Sequence, residues 1–194
     1  VGSLAGLNNG IISFCSSTGL VQGSGNKIGG LIGKNNTNGE VRSCVNYCSV
    51  EGAEMVGGLV GENGGIVSAC YSVGSVSASS YAGGLVGINI GLISICYSVG
   101  LVLGSSPTGG LVSYNYSGTV AESYWNRETS GQTTSAGGIG KTTAEMKRQA
   151  TYVDWEFSDV WAIEEGISYP YLIALEDIKD ADSFLIITTK EIKT

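Results

Sequence analysis

The sequence contains no histidine among its 194 residues, and its first 123 residues contain no aspartate. Histidine is the side chain that titrates near neutral pH and the commonest metal ligand, so histidine-dependent catalysis is excluded. Calcium-binding β-helical repeats need an aspartate in every coil, which excludes that class for residues 1–123. Cys44 and Cys48 have no second ligand pair to complete a zinc site. We therefore predict no metal and no cofactor.

Charged residues are also scarce, at 14% of the chain, and the net charge is −7. An acidic chain without a basic stripe does not suit nucleic acid, because neutralising phosphates requires clustered lysine and arginine. Glycosidases and lyases built on β-helices need paired carboxylates on one face. Eight charged residues occur in the first 123: Lys27, Lys34, Glu40, Arg42, Glu51, Glu54, Glu62 and Glu122. Only Glu40 and Arg42 are close in sequence, and we interpret them as a surface ion pair, so no catalytic residue is predicted.

The chain also lacks an apolar run of about 18 residues, so no membrane span is predicted. It begins at Val1, inside a repeat, with no basic segment leading into an apolar stretch. We therefore expect a piece of a longer product, with neighbouring domains among its partners.

What the sequence does contain is a short glycine-rich phrase that recurs at an almost constant step. Its full copies begin at Gly29, Gly57, Gly83 and Gly109, and a weaker copy begins at Gly2. The steps of 27, 28, 26 and 26 residues indicate stacked supersecondary units. The apolar segments between the glycines are short and β-branched, which is typical of strands and not of helices. We predict an all-β fold, a parallel β-solenoid of about five coils of 26–28 residues.

Aligning the copies gives three apolar columns that are expected to point into the core. The first is Leu4, Leu31, Leu59, Leu85 and Leu111; the second is Ile12, Val41, Val67, Ile93 and Val120; the third is Val21, Val50, Val76 and Val102. Three short strands per coil predict a roughly triangular cross-section. No threonine column is present, which argues against an ice-binding face.

Every copy carries an asparagine shortly after the glycine-leucine phrase. The column consists of Asn8, Asn35, Asn63, Asn89 and Asn115. Asparagine tolerates left-handed backbone and can bond its own turn, and stacked amides can bond from coil to coil. We predict a structural ladder at a corner; a ligand-binding row of asparagines is the alternative.

Four of the five cysteines form another column, with Ser123 in the fifth place. Its members are Cys15, Cys44, Cys70 and Cys96. Small apolar thiols pack well when stacked and buried, so we favour free thiols. Neighbouring coils would also bring their Cα atoms within disulfide range, which leaves bridging as the alternative. The remaining residue, Cys48, stands where later coils have glycine, and we expect it to be exposed.

Tyrosines follow this column at Tyr71, Tyr97 and Tyr124. Val67 and Cys70 are separated by an odd number of residues, so both can point inward only if a bulge or corner lies between them. With the cysteines inward, the tyrosines are expected on the surface. There they would stabilise neighbouring strands by stacking, or would offer a platform for sugar rings.

The composition changes near Tyr124, and three segments are predicted: a solenoid at 1–123, a cap at 124–175, and an acidic linker with a terminal strand at 176–194. Thr142 and Glu145 have capping-box spacing, which predicts one short helix. The cap's tryptophans and other aromatic residues are expected to cover the open end of the solenoid. The terminal strand, which could begin another domain or pair with a neighbouring molecule, contains Phe184, Leu185, Ile186 and Ile187.

The phrase Gly-Gly-Leu-Val-Gly-x-Asn followed by Ile-Val-Ser-x-Cys-Tyr-Ser-Val-Gly-x-Val, in residues 57–76 and its variant in 83–102, resembles the GLUG motif. Segments in 124–132, 140–146 and 169–172 resemble the region that often closes such arrays. The resemblance covers about residues 1–175. It implies a right-handed β-helical module of large secreted or surface-anchored microbial proteins, including adhesins. The motif defines no catalytic residue.

Three functions follow as hypotheses. The first is a non-catalytic extracellular structural or adhesive module, a stalk or surface-display segment at the cell surface. The second is a self-assembling filament subunit, which pairs with identical subunits through an open solenoid end and the C-terminal strand. The third is a carbohydrate-binding module that recognises host or matrix glycans with Tyr71, Tyr97, Tyr124 or the C-terminal tryptophans.

Overall fold

A computed structural model describes residues 1–176 and shows a parallel β-solenoid of about five turns. This confirms the predicted all-β fold class. The second, third and fourth turns each contribute one strand to each of four parallel sheets, which we number in the order the chain visits them. Sheet 1 contains Ala5–Asn8, Ile32–Asn35, Val60–Asn63, Val86–Asn89 and Val112–Asn115. Sheet 2 contains Ile11–Ser13, Glu40–Arg42, Ile66–Ser68, Leu92–Ser94 and Thr119–Ala121.

The other two sheets complete the wall. Sheet 3 contains Ser16–Ser17, Val45–Asn46, Tyr71–Ser72, Tyr97–Ser98, Tyr124–Asn126 and Ile139–Lys141. Sheet 4 contains Leu20–Gln22, Asn26–Gly29, Ser49–Gly57, Val76–Gly83 and Val102–Gly109. The middle coils therefore carry four strands each, so the expectation of three strands per coil, from which a triangular cross-section was predicted, was wrong. Strand pairing in sheet 3 also continues past residue 123, because Tyr124–Asn126 pairs with Tyr97–Ser98 and with Ile139–Lys141.

A left-handed residue forms the corner between sheets 2 and 3 in every coil. These corner residues are Phe14, Ser43, Ala69, Ile95 and Glu122, with φ between 43° and 55°. The corner at Ala69 lies between Val67 and Cys70, where the sequence required a break in alternation. Both side chains are consequently buried in one core.

The strands of sheet 4 are long and change direction in mid-strand. Lys27, Met55 and Tyr81 occupy equivalent positions there and have φ between 55° and 62°. A β-branched or aromatic residue in this region of φ adopts an unusual conformation, and the register of Val76–Gly83 shifts next to Tyr81. The bend creates an angle between sheet 4 and the following sheet 1.

The interior is filled by the predicted columns. Leu31, Leu59, Leu85 and Leu111 are at most 1% exposed. Burying one leucine contributes about 1.5–3 kcal/mol, so this column is a major source of stability. Leu4 departs from the prediction because it is 53% exposed: it lies in the first coil, where no described coil packs over it. The valine column from sheet 4 packs in a second cluster with Ile28, Cys48 and Ala82.

A polar segment covers the end of the last coil, which differs from the expected aromatic plug. Residues 129–139 lie along this coil and bond to it: the amide of Val102 donates to the Ser130 carbonyl at 3.0 Å, and the amide of Gly110 to Thr134 at 3.1 Å. One aromatic residue does contribute. Trp125 occupies the inward position that Ser98 has in the preceding coil, and its indole fills the interior.

Most of the cap's aromatic residues instead cover the flank of the solenoid. The cap contains the helix Thr143–Met146, the 3-10 turns Gln149–Thr151 and Ile173–Leu175, and an antiparallel pair, Trp161–Ala162 with Leu172 and Tyr171. The predicted capping box is present, with the Glu145 amide donating to Thr142 Oγ1 at 3.2 Å. Trp155 and Trp161 pack against the outer face of sheet 3. The predicted strand at Phe184–Ile187 lies outside the described residues.

Candidate functional site

The asparagine column forms a continuous amide ladder along the solenoid. Each Nδ2 donates to Oδ1 of the asparagine in the next coil, from Asn8 through Asn115. The four distances are 2.8, 2.9, 2.9 and 3.0 Å. Each Nδ2 also donates to a carbonyl of its own turn at 2.9–3.3 Å. Asn35, Asn63 and Asn89 are fully buried, and these internal partners occupy their hydrogen-bonding groups, so the arrangement is structural.

The cysteine column stacks inside the main core as free thiols. The amides of Cys44 and Cys70 each donate to the sulfur of the next coil's cysteine at 3.4 Å. The amide of Cys96 continues the pattern to Ser123 Oγ at 3.1 Å, which explains why serine replaces cysteine there. Burial is the main cause that raises the pKa of Cys70 well above its usual value, so the thiol stays protonated and unreactive.

The fifth cysteine, Cys48, is buried as well, so the expectation that it is exposed was wrong. Its side chain packs with Val50 and Val76 beneath sheet 4. No group of three or more histidine, cysteine, aspartate or glutamate side chains that could hold a metal occurs within residues 1–176.

The tyrosine column is not on the surface, contrary to the prediction. Tyr71, Tyr97 and Tyr124 are 4%, 1% and 3% exposed because the cap packs over them. Tyr71 and Tyr97 stack with centroids 4.9 Å apart and planes 4° from parallel. The Tyr97 hydroxyl donates to the Pro170 carbonyl at 2.5 Å. The cap packs on these rings, and their low exposure leaves little of their faces open to a sugar.

The cap's tryptophans are equally inaccessible. Trp155 and Trp161 are buried with ring centroids 4.5 Å apart, and Trp155 Nε1 donates to the Glu122 carbonyl at 2.9 Å. Trp125 is buried in the solenoid interior. The third hypothesis therefore loses the residues on which it was based.

A different set of tyrosines is exposed, in the angle between sheets 4 and 1. The opening, which we name the tyrosine groove, has a volume of about 560 Å³. Its lining residues are Glu54, Met55, Glu62, Tyr81, Ile88, Ile90, Tyr114 and Tyr116. Tyr114 and Tyr116 are 45% and 72% exposed. The rings of Tyr81 and Tyr114 lie 6.1 Å apart between centroids, at 81° to each other.

The side chains that line the groove change in character from coil to coil along the solenoid axis. On the sheet 1 wall, the paired positions are Lys34, Glu62, Ile88 and Tyr114. On the sheet 4 wall, Lys27, Met55 and Tyr81 are equivalent. One end is therefore ionic and the other end is aromatic.

The ionic end is organised around Glu62, whose side chain is 11% exposed. Its carboxylate lies 2.9 Å from Lys27 Nζ and 3.1 Å from Lys34 Nζ. Burial opposes ionisation of this carboxyl and is the largest single effect. The hydrogen bonds and charges of the two lysines nonetheless hold its pKa below the usual value.

Sequence reasoning missed this groove. Tyr81, Tyr114 and Tyr116 belong to three different columns. In other coils those columns hold residues such as lysine, methionine, glutamate, isoleucine and glycine, so no tyrosine column is visible in the sequence. The available signal was the replacement of charged by aromatic residues at the outward positions of the last coils. Recognising it required knowing that two columns lie on facing walls.

Comparisons with known proteins give little further information. No protein-family model matches this chain, and no solved structure matches it. A protein of Evansella cellulosilytica, whose name describes it as a candidate Gly-rich membrane protein, is 39% identical over 57 residues. That match covers 28% of this chain and 6% of the relative, so it shows local similarity to a small part of a much longer protein. The short helices within residues 1–176 include none that could cross a membrane.

Proposed function

We propose that this chain is a non-catalytic structural and adhesive module, a solenoid stalk or display segment of an extracellular or cell-surface protein. Its role is to hold a surface at a fixed distance and orientation. The resemblance to GLUG repeats and the similarity to a glycine-rich protein support this proposal.

The observation that carries the proposal is the continuity of bonding along the axis. Backbone pairing in sheets 1 and 2 and the asparagine ladder both run through five coils without interruption. Strands of one coil therefore support those of the next, and the aromatic residues of the cap pack across several coils on the outer face of sheet 3. A rod built this way keeps its shape without a ligand or metal.

Antibody labelling tests the extracellular placement. Antibodies raised against the purified chain are applied to intact cells that make the native protein, and to lysed cells as a control. Labelling of intact cells is expected, together with loss of the signal after external protease treatment that removes the surface protein. A signal that arises only after lysis would contradict the proposal.

Exposed apolar side chains on the first described coil favour association between copies of this chain as a second candidate. Leu4, Leu7, Ile11, Phe14 and Leu20 are each more than half exposed. Contiguous apolar surface at a sheet edge promotes pairing with another chain. We propose an identical subunit as the partner.

Sedimentation of the purified chain over a range of concentrations tests this candidate. Self-association is expected, and Phe14→Asn with Leu20→Gln should weaken it, since asparagine tolerates the left-handed backbone at position 14. Ile167→Ser, an exposed position on the cap, is the matched control. A monomer at every concentration would rule this candidate out.

A further inference from the structure

The tyrosine groove has the character of a binding site. Tyr114 is 45% exposed, Tyr116 is 72% exposed and Ile90 is 43% exposed, and all three border one opening with Tyr81. Apolar residues exposed singly are ordinary, but a contiguous patch rimmed by polar groups usually marks an interaction surface. None of these side chains supports the solenoid interior.

The charges around the groove balance. Glu54 and Glu62 contribute two negative charges, and Lys27 and Lys34 contribute two positive charges that are both engaged by Glu62. A phosphate-rich ligand would need excess positive charge, and a polycation would need excess negative charge. The local charge therefore complements a neutral ligand.

An extended peptide could add a strand only at the aromatic end of the groove, where Val112–Asn115 is the last strand of sheet 1, because the strands along the rest of the walls are paired on both sides. Val76–Gly83 pairs on both sides with strands of sheet 4, and Val86–Asn89 pairs on both sides with strands of sheet 1. Peptides that bind by strand addition need unpaired backbone donors and acceptors. Recognition along the rest of the groove must use side chains.

The side chains present combine flat apolar faces with hydrogen-bonding groups. Tyr81 and Tyr114 stand at 81° to each other and carry phenolic hydroxyls, and Glu54 supplies a carboxylate. A sugar ring has the complementary character, with an apolar C–H face and hydroxyl groups at its edge. Tyrosine is suited to such a partner because it has an apolar body and a polar tip.

We propose that the tyrosine groove binds a neutral glycan chain that lies along the solenoid axis. Sugar faces pack on Tyr81, Tyr114 and Tyr116, and Glu54 accepts hydrogen bonds from sugar hydroxyls. The proposal rests on the proposed function, since it assigns a ligand to the adhesive surface. It is tested on the purified chain, so its failure would not affect the labelling of intact cells.

Affinity electrophoresis in native gels tests the proposal, because the acidic chain migrates readily. The gels contain one neutral polysaccharide each: xyloglucan, galactomannan, hydroxyethyl cellulose or soluble starch. Retardation is expected in at least one gel. Tyr114→Ala with Tyr116→Ala should weaken binding about tenfold or more, since stacking faces are lost. Tyr114→Phe should retain most of the binding.

Leu103→Ala is the matched control, because Leu103 is exposed in the preceding coil and does not line the groove. It should bind like the wild type, and thermal denaturation should show that all variants remain folded. Three outcomes would overturn the proposal: no retardation in any neutral gel, equal retardation of the double variant, or retardation by an anionic polysaccharide alone. Competition by a non-ionic detergent and not by soluble oligosaccharides would likewise identify an apolar site and overturn it.

Discussion

At the residue scale, the asparagine ladder makes each buried amide depend on its neighbours. Asn63 accepts from Asn35 and donates to Asn89, and its Oδ1 also accepts the Gly65 amide at 3.2 Å. Removing one member takes a hydrogen bond away from the buried asparagines on both sides. Unsatisfied buried groups cost more than the bond they lose, so the effect of a single change is large.

We expect Asn63→Ala to lower the free energy of unfolding by about 2–4 kcal/mol, because several buried polar groups lose their partners. Urea unfolding followed by circular dichroism measures this. Asn38→Ala, at an exposed turn of the second coil, should change it by less than about 0.5 kcal/mol. Equal effects of the two substitutions would show that the ladder does not contribute.

The buried tyrosines make stability sensitive to alkaline pH. Burial raises the pKa of Tyr71, Tyr97 and Tyr152 in the folded chain. Their stabilising effect is complete below the unfolded pKa of about 10 and is lost as pH rises from there towards the folded values. Each group can contribute a slope of about 1.4 kcal/mol per pH unit in that range.

We therefore expect the free energy of unfolding to fall steeply above about pH 10, and Tyr71→Phe to make that fall shallower. Urea unfolding over a pH series measures the slope, and tyrosinate absorbance shows when the rings ionise. Reversible ionisation of every tyrosine near pH 10 in the folded chain would contradict this expectation.

The role of a residue could be predicted from the sequence where it belongs to a repeated column. It could not be predicted where it depends on contacts with residues that are distant in the sequence. The inward leucines and the corner near Ala69 follow from spacing within one coil. The burial of Tyr97 depends on Pro170, 73 positions away, and on aromatic residues of the cap. No periodic signal encodes that contact, so the sequence alone suggested a surface ladder.

At the element scale, the second glycine of the repeated phrase allows the coils to approach closely. A Cβ atom placed on Gly84 would lie 2.1 Å from the Gly110 carbonyl oxygen of the next coil, with Ser98 also in contact. Gly58 meets the carbonyl of Gly84 in the same way. The second glycine therefore recurs because the carbonyl group of the next coil occupies the space that a Cβ atom would need.

We expect Gly84→Ala to destabilise the solenoid by about 1–3 kcal/mol or more, because the neighbouring strand must shift. Gly25→Ala is a matched control: it is exposed, and its added methyl group would meet no atom within 4 Å. That control should be neutral or slightly stabilising. Thermal denaturation compares the two, and similar melting temperatures would disprove close packing at Gly84.

The elements of the cap show what patterning can and cannot indicate. The capping box at Thr142 and Glu145 predicted a helix because its signal is local. Its docking on the outer face of sheet 3 was not predictable, since an aromatic segment can cover either an end or a side of a solenoid. The groove was hidden for a related reason: it forms from columns on two sheets that face each other only after folding.

At the scale of the whole molecule, stability is expected to vary from coil to coil. Within residues 1–176, the first coil has exposed apolar residues and pairs on one side only, whereas Val86–Asn89 is paired on both sides. Such arrays open locally where neighbour contacts are fewest.

We expect amide hydrogen exchange to be fastest in Ala5–Asn8 and Ile11–Ser13 and slowest in Val86–Asn89 and Tyr97–Ser98. Mass spectrometry of peptides from the exchanged chain measures the order. Uniform exchange through all the coils would indicate instead that the solenoid opens as one cooperative unit.

The position of the cap determines which coils of the solenoid can be added or removed without changing the contacts of the cap. The cap rests on Tyr71, Tyr97 and Tyr124, which belong to the last three coils, and makes its side-chain hydrogen bonds there. The same cluster includes Val45 of the second coil, so duplicating or deleting the first coil would leave these contacts intact. Recombination between repeats could thus lengthen or shorten the rod while the cap and the coils that it covers are inherited unchanged.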